Sequence, residues 1–250
     1  RQHAHCRGEH PGTALAGAVT ALAEVTGGAL VMQHTGTPLA RLGLSVNLYP
    51  FDMRHGVFVY GTPANLVLTM LEREINRYLG TEINAKTFSV MAQRPGPQSC
   101  ALKAVGTGLM AAQGRRLFSS LGSLSLDEVY SPVQMIFDRE ILGYVRRCVE
   151  MLAVVLDERL LLTDELAGSA ADSFLEADST LEHFRDLQWD SAIFPTRMLQ
   201  QWREAGEPEA QHLAAAEVKR LLAGYEYELP LDQARALDDI YARAAAALVG

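Results

Sequence analysis

The feature that most constrains the fold is the order of apolar segments between residues 31 and 120. Short apolar segments alternate with longer helical patterns there, and short stretches rich in polar residues or glycine lie at the ends of the apolar segments. Such alternation is typical of a parallel β-sheet with helices packed on it. Binding residues in folds of this kind gather on the loops that follow the strands. The sequence therefore predicts an α/β fold with a candidate site in segments 49–56, 84–89 and 97–100.

Capping residues and periodicity predict the individual elements. Thr13 suits a helix N-cap, and Gly27-Gly28 is expected to end that first helix. Pro63 and Pro132 suit the first position of two later helices, where a proline loses no hydrogen bond. The predicted strands are short and apolar or β-branched, and they lie at Ala29–Gln33, Val57–Tyr60, Lys86–Met91 and Arg116–Ser120.

After residue 157 every pattern is helical. The clearest helices are predicted at Glu209–Gly224 and Pro230–Val249, where apolar residues recur at helical spacing. Further helix starts are expected at Thr163, Ser179 and Pro195. These patterns predict two domains, a strand-and-helix domain over residues 1–160 and a helical extension packed on it over residues 161–250.

Charge and cysteine content narrow the class of protein. The net charge is −8 and no block of Lys or Arg stands out, which argues against nucleic-acid binding. We find no apolar run near the ~20 residues that cross a bilayer, so no membrane is expected. Residues 1–12 lack a signal-peptide pattern. Cys6, Cys100 and Cys148 lie far apart, which favours a reducing cytoplasm over a disulfide framework.

Potential metal ligands crowd the first ten residues. Three histidines and a cysteine occur there, at His3, His5, Cys6 and His10. Their spacing fits no closed zinc site, and no second cluster completes it. We therefore predict a polar terminus and no metal.

Four groups of residues occur in a characteristic order along the chain. They are Leu15–Ala18 with Asp52–Gly56, Ser131-Pro132 with Asp138–Ile141, Thr180–Arg185, and Trp202–Gly206. In this order and spacing they resemble the trimethylamine methyltransferase family. That corrinoid-dependent family includes glycine betaine methyltransferases.

This resemblance implies a fold, a reaction and a partner. The fold would be a TIM-type (β/α) barrel, of which this chain covers the C-terminal part and a helical extension. The reaction would transfer a methyl group from a small methylated amine to the cobalt of a separate corrinoid (cobalamin) protein, so the chain itself would bind no cofactor. No pyrrolysine is written in the sequence, which favours the betaine-type branch and a quaternary amine.

The chemistry of such a transfer indicates which residues to consider. The leaving amine is neutral, so the site needs no acid or base at nitrogen, and the sequence indicates no catalytic residue. Aromatic faces and a carboxylate suit a cation, and arginine suits a substrate carboxylate. We predict a substrate-binding set of six residues: Asp52, Arg54, Lys86, Gln98, Tyr49 and Phe51.

Structural alternatives remain open for this set. Asp52 and Arg54 could pair with each other in a turn, Lys86 could face solvent, and Gln98 could simply be exposed. Cys100 could be a nucleophile at a helix N-terminus, but an inert thiol is the favoured interpretation.

An alternative function also remains open. The chain departs from the family pattern over residues 172–179 and at Leu102, where an acidic residue is expected. It could be a non-catalytic or incomplete half-barrel subunit that acts in assembly. Open sheet edges are rarely left uncovered, so we expect a partner, either another copy of the chain or a missing N-terminal half.

Overall fold

The computed structural model describes residues 13–38, 44–81, 83–155, 175, 178–185 and 188–249. The predicted terminal ligands (His3, His5, Cys6, His10), the helix start at Thr163 and the predicted domain boundary at 160/161 lie outside the described residues. Helices dominate the described chain, in the order α1 Ala14–His34, α2 Pro63–Tyr78, α3 Pro97–Ala112, α4 Pro132–Val155, α5 Asp178–His183, α6 Leu199–Glu204, α7 Ala210–Ala223 and α8 Leu231–Val249. The chain divides into two compact units, residues 1–215 and 216–250.

The helix starts predicted at Thr13, Pro63 and Pro132 are confirmed, whereas the start predicted at Pro195 is wrong because α6 begins at Leu199. The Thr13 hydroxyl accepts a hydrogen bond from the Ala16 N–H at 3.2 Å at the start of α1. The Thr62 hydroxyl accepts one from the Asn65 N–H at 3.3 Å, and Pro63 takes the first position of α2. These side chains satisfy N–H groups that would otherwise lack an intrahelical partner.

The predicted strand Ala29–Gln33 is wrong, because α1 continues through Gly27 and Gly28 to His34. One face of α1 is buried from Gly17 to Ala29, and Ala18, Ala21 and Val25 on it join a core cluster with Val46 and Leu48. This packing offsets the roughly 1 kcal/mol cost of each helical glycine. By length and composition alone α1 could also span a membrane, in contrast to the expectation that the chain has no membrane segment.

The strands of the described chain are short. Strands β1 (Phe51–Asp52) and β2 (Val57–Phe58) form an antiparallel hairpin, as do β3 (Ser123–Leu124) and β4 (Val129–Tyr130). The strand predicted at Val57–Tyr60 is thus confirmed over its first two residues.

The strand predicted at 86–91 is not formed, because the chain turns there and the Ser89 N–H donates to the Lys86 carbonyl at 3.4 Å. The strand predicted at 116–120 is reduced to one bridging residue. Ala85 and Phe118 form a parallel bridge. The Ala85 N–H donates to the Leu117 carbonyl at 2.9 Å, and the Ser119 N–H donates to the Ala85 carbonyl at 3.1 Å. This pairing has the predicted direction but covers one residue pair, and the barrel stays a prediction.

Side chains of α2 hold the extended segment 44–49 in place. The Asn76 side chain accepts from the Val46 N–H and donates to the Val46 carbonyl, both at 2.8 Å. The Glu72 carboxyl group accepts from the Leu48 N–H. These two side chains bind the backbone as a neighbouring strand would, and they fix the position of Tyr49 directly after Leu48.

A buried ion pair joins α3, α4 and the β3–β4 hairpin. The Lys103 ammonium donates to Asp138 Oδ2 at 2.7 Å and to the Ser123 carbonyl at 2.8 Å. Asp138 also accepts from the Gly122 N–H and from Gln134 Nε2, each at 2.7 Å. Both charged side chains are 0% exposed, so these bonds must replace the water that each charge has lost.

Candidate functional site

Four aromatic rings from segment 49–60 pack together, and we call them the aromatic wall: Tyr49, Phe51, Phe58 and Tyr60. The Tyr49 ring lies edge-on to Tyr60 with centroids 5.1 Å apart, and edge-on to Phe58 at 6.3 Å. Phe51 and Phe58 face each other across the β1–β2 hairpin at 5.3 Å. The hydrogen bonds from Asn76 and Glu72 to segment 44–49 set the position of Tyr49. The β1–β2 hairpin then brings Phe58 and Tyr60 back against the Tyr49 ring.

A cation lies over one ring of this wall. The Lys86 Nζ atom is 5.5 Å from the centroid of the Tyr49 ring, within the range of a cation–π contact. The side chain belongs to an exposed residue, whereas its neighbours Ala85 and Thr87 are buried. The wall therefore presents a ring face to a place where a positive charge is stable and accessible from solvent.

A carboxylate lies near the two tyrosines of the wall, since the charge of Asp127 contributes to the raised pKa of both Tyr49 and Tyr60. Asp127 accepts hydrogen bonds from the Ser89 hydroxyl at 2.8 Å and from the Ser123 hydroxyl. It lies in the β3–β4 turn, where Ser125, Leu126 and Asp127 have φ angles of 48°, 56° and 69°. Three successive left-handed residues without glycine are strained, and the two serine hydroxyls help to hold the turn that directs this carboxylate.

Both tyrosines of the wall keep their protons at neutral pH. Burial raises the pKa of Tyr49 to about 12, the nearby Glu72 and Asp127 charges add to this rise, and a hydrogen bond from Tyr60 opposes it. Burial likewise raises the pKa of Tyr60 to about 12, and Asp127 contributes there too. Neutral phenol rings are the form that offers an electron-rich face without a formal charge.

A buried carboxyl group lies behind Tyr49. Burial raises the pKa of Glu72 to about 7, against the opposing effects of the Leu48 N–H, Arg115 and Lys86. At neutral pH this group titrates, so the charge next to the aromatic wall depends on pH.

Asp52 and Arg54 pair with each other at the tip of the β1–β2 hairpin. Arg54 Nε donates to Asp52 Oδ1 and Nη2 donates to Oδ2, both at 3.0 Å, and His55 Nδ1 lies 2.8 Å from Oδ2. Hydrogen bonds from Arg54 and then from His55 hold the pKa of Asp52 well below its usual range. Asp52 and Arg54 thus pair with each other in a turn, which is the structural alternative left open by the sequence. A role of either residue in substrate binding stays a prediction.

The remaining candidates lie on α3. Gln98 is exposed in the first turn of α3 and belongs to a different element from segment 49–60. Burial raises the pKa of the Cys100 thiol, which fits the inert thiol and not a nucleophile.

The whole described site lies within a region matched by one protein family. The chain matches the model of trimethylamine methyltransferase (MTTB) over residues 8–248. It belongs to the trimethylamine methyltransferase family. The resemblance found in the sequence motifs is thereby confirmed.

Two curated members of the family show how much of a whole protein this chain represents. It is 24% identical to the trimethylamine methyltransferase MttB of Methanosarcina thermophila over 214 residues, which cover 86% of this chain and 44% of the relative. It is 23% identical to the protein of the same name from Methanosarcina barkeri, over 86% of this chain and 42% of the relative. The chain thus spans less than half the length of these relatives.

Within this family member, the fold brings together only part of the predicted binding set. Tyr49, Phe51 and Lys86 share one cluster, whereas Asp52 and Arg54 bind each other and Gln98 belongs to another element. The carboxylate beside the cluster is Asp127, which sequence reasoning missed. In the sequence, Asp127 is simply an acidic residue within a loop. Its hydrogen bond with Ser89 forms only when two segments 38 residues apart come together in the fold.

Proposed function

We propose that this chain carries the amine-binding wall of a methyltransferase, which holds a small quaternary amine while one methyl group passes to a corrinoid protein. The observation that supports it most is the Lys86 ammonium at 5.5 Å from the Tyr49 ring centroid. The charge of Asp127 lies close enough to raise the pKa of both Tyr49 and Tyr60. A ring face and a carboxylate around one place are what a quaternary ammonium requires.

The proposed reaction requires no acid or base catalysis by the residues of this chain. One C–N bond breaks, its electron pair stays on nitrogen, and the methyl group moves to the acceptor without that pair. The product amine is therefore neutral, and no proton has to be moved. A corrinoid held by a partner protein would supply the nucleophile. The residues of the wall would bind the cation, exclude water and point one methyl group outward.

Lys86 gives the proposed site a preference for amines that also carry a carboxylate. When the substrate cation takes the place over the Tyr49 ring, the Lys86 ammonium must move aside, and it would then meet a negative group on the substrate. Glycine betaine carries a carboxylate one carbon from its ammonium. The site would therefore favour glycine betaine over trimethylamine.

The barrel belongs to the same proposal. Segment 44–49 and the two bridging residues Ala85 and Phe118 alternate along the chain with helices α2, α3 and α4, and the bridge is parallel. This order supports the C-terminal part of a TIM-type barrel, with the aromatic wall on a loop that follows an extended segment.

Calorimetric titration with glycine betaine, carnitine and trimethylamine tests the proposed site. We expect Tyr60→Leu to weaken betaine binding about tenfold, because the Tyr60 ring packs edge-on against Tyr49 at 5.1 Å and holds the Tyr49 face, a contact worth about 1–2 kcal/mol to a desolvated cation. Asp127→Asn should weaken binding similarly while its amide oxygen can still accept from Ser89 and Ser123.

A control variant shows whether the effect is specific to a tyrosine of the aromatic wall. Tyr78 ends α2 and is 91% exposed, so Tyr78→Leu should leave the affinity unchanged. Equal affinities for wild type, Tyr60→Leu and Tyr78→Leu would show that the cation binds elsewhere.

A second candidate function, assembly with another chain, is favoured by the outer face of α1. Leu15, Val19 and Leu30 are 70%, 66% and 58% exposed there. An exposed stripe of this kind marks an interaction surface. We expect light scattering to give at least the mass of a dimer, and Val19→Glu to shift the protein toward the monomer. A wild-type chain that stays a monodisperse monomer would contradict this candidate.

A further inference from the structure

A buried lysine of α3 lies between the two segments that hold Asp127. The Lys103 ammonium donates to the Ser123 carbonyl at 2.8 Å, and its Nζ atom is 5.9 Å from the centroid of the Phe88 ring. Ser89 directly follows Phe88. The hydroxyls of Ser89 and Ser123 both donate to Oδ1 of Asp127. One side chain thus contacts both segments that supply donors to this carboxylate.

Asp138, the partner of this lysine, holds the residue before Ser123. Its Oδ2 atom accepts from the Lys103 ammonium and from the Gly122 N–H, each at 2.7 Å. Gln134 Nε2 donates to the other oxygen, Oδ1, at 2.7 Å. The ion pair therefore binds two successive backbone groups, the N–H of Gly122 and the carbonyl of Ser123, where the β3–β4 hairpin begins.

The backbone that the pair holds is strained. Five of the eight residues in segment 120–127 have φ angles in the left-handed region, and only one of the five is a glycine. Such a conformation persists where the surrounding structure fixes it. The Ser125 N–H donates to the Ala92 carbonyl at 2.9 Å, which fixes the second half of the segment. The ion pair fixes the first half.

The contribution of the pair is directional. A buried ion pair adds little stability over two apolar side chains of similar size, because the lost hydration offsets the attraction between the charges. Each of its hydrogen bonds, however, sets a distance and an angle between donor and acceptor. Lys103 and Asp138 are 0% exposed, so water does not replace these bonds. The pair therefore determines where residues 122–123 lie.

We infer that Lys103 and Asp138 are positioning residues of the proposed amine site: they hold Ser123 so that the Asp127 carboxylate stays near the aromatic wall. Neither side chain touches a substrate there, because both are fully buried. The inference rests on the proposed function, since the place of Asp127 affects binding only if a cation binds beside the wall. Loss of the pair should then lower the affinity for the charge of the substrate and not for its shape.

Calorimetric titration of the whole chain with glycine betaine and with 3,3-dimethylbutanoate tests the inference. The second compound has the shape and carboxylate of betaine but no charged nitrogen. The double variant Lys103→Met with Asp138→Leu removes the pair without leaving a buried charge. We expect it to bind betaine about tenfold more weakly than wild type, as Asp127→Asn should, because the cation loses a nearby carboxylate. Binding of 3,3-dimethylbutanoate should be unchanged.

A thermodynamic cycle shows whether the pair acts through Asp127. When Asp127→Asn is added to the double variant, betaine binding should weaken no further, because both changes remove the same contact. A combined variant whose affinity falls by the product of the two separate factors would overturn the inference.

Ser123→Ala gives a second measurement that leaves both buried charges in place. The change removes only the hydroxyl that donates to Asp127, and the Ser123 carbonyl still accepts from Lys103. We expect betaine binding to weaken about threefold, the effect of one lost hydrogen bond. An unchanged affinity for betaine would contradict the positioning role.

A second ion pair on α4 provides a matched control. Arg146 Nε lies 2.8 Å from Glu150 Oε1, and the two side chains are 79% and 45% exposed. The same kind of double change, Arg146→Met with Glu150→Leu, removes an ion pair within one helix. It should leave the affinity for both compounds unchanged.

The outcomes separate this inference from the proposed function. If wild type prefers betaine and the Lys103→Met, Asp138→Leu variant keeps that preference, the proposed function stands and the positioning role is wrong. An equal loss of affinity for both compounds would show a general structural effect and would also overturn the inference. If wild type itself shows no preference for betaine, the proposed amine site is wrong and the positioning role fails with it.

Discussion

Replacing Asp138 with leucine should lower the free energy of unfolding by about 3–5 kcal/mol. The change leaves the Lys103 ammonium buried without its counter-charge, because Asp138 Oδ2 is its partner at 2.7 Å and both side chains are 0% exposed. Burial lowers the pKa of Lys103 and raises that of Asp138, and the attraction between the two charges opposes both shifts. Urea denaturation monitored by circular dichroism measures the loss.

Two further variants show whether the lost charge pair is the cause. Glu150 pairs with Arg146 at 2.8 Å on the same helix but near solvent, so Glu150→Ala should cost less than about 1 kcal/mol. The double variant Lys103→Met with Asp138→Leu should recover much of the loss, since it leaves no buried charge. A double variant as unstable as the sum of the two single ones would contradict this account.

Stability should also fall as pH rises through the titration of Glu72. Burial raises the pKa of this group from an ordinary value of 4.5 to about 7 in the folded chain. The stabilising contribution is complete below pH 4.5, where both states hold the proton. It is lost as pH rises to about 7, because the unfolded chain releases the proton first. A shift of this size corresponds to roughly 3 kcal/mol.

Glu72→Gln isolates this contribution. The glutamine oxygen can still accept from the Leu48 N–H, but the side chain no longer titrates. Unfolding free energies measured by urea at pH 4 to 8 should therefore be flatter in the variant, which becomes more stable than wild type at pH 8. The same change at the exposed neighbour, Glu74→Gln, should keep the wild-type slope. Identical slopes in wild type and Glu72→Gln would show that another group carries the pH dependence.

Local sequence signals predicted the helices well. Thr13, Thr62 and Pro63 mark helix starts because caps act over three or four residues, a range that the sequence itself displays. The strand expected at Ala29–Gln33 failed because burial of one helical face outweighed two glycines. That burial depends on segment 44–49 packing against α1, which no local pattern reveals.

The site was predicted only where its members are close in sequence or aromatic. Tyr49 and Phe51 belong to one short segment, and Lys86 lies at the start of a predicted strand. Asp127 could not be found in this way, because its pairing with Ser89 depends on the β3–β4 turn reaching another segment. Glu72 was missed for the same reason, since it binds the backbone of Leu48 across 24 residues of chain.

The most direct test of the proposed function compares glycine betaine with 3,3-dimethylbutanoate in one calorimetric titration. The second compound has the same shape and carboxylate but a carbon in place of the charged nitrogen. An aromatic wall beside Asp127 predicts at least about tenfold tighter binding of betaine, because only its cation gains from the rings and the carboxylate. Equal binding of the two compounds, or no binding of betaine by the folded chain, would contradict the proposal.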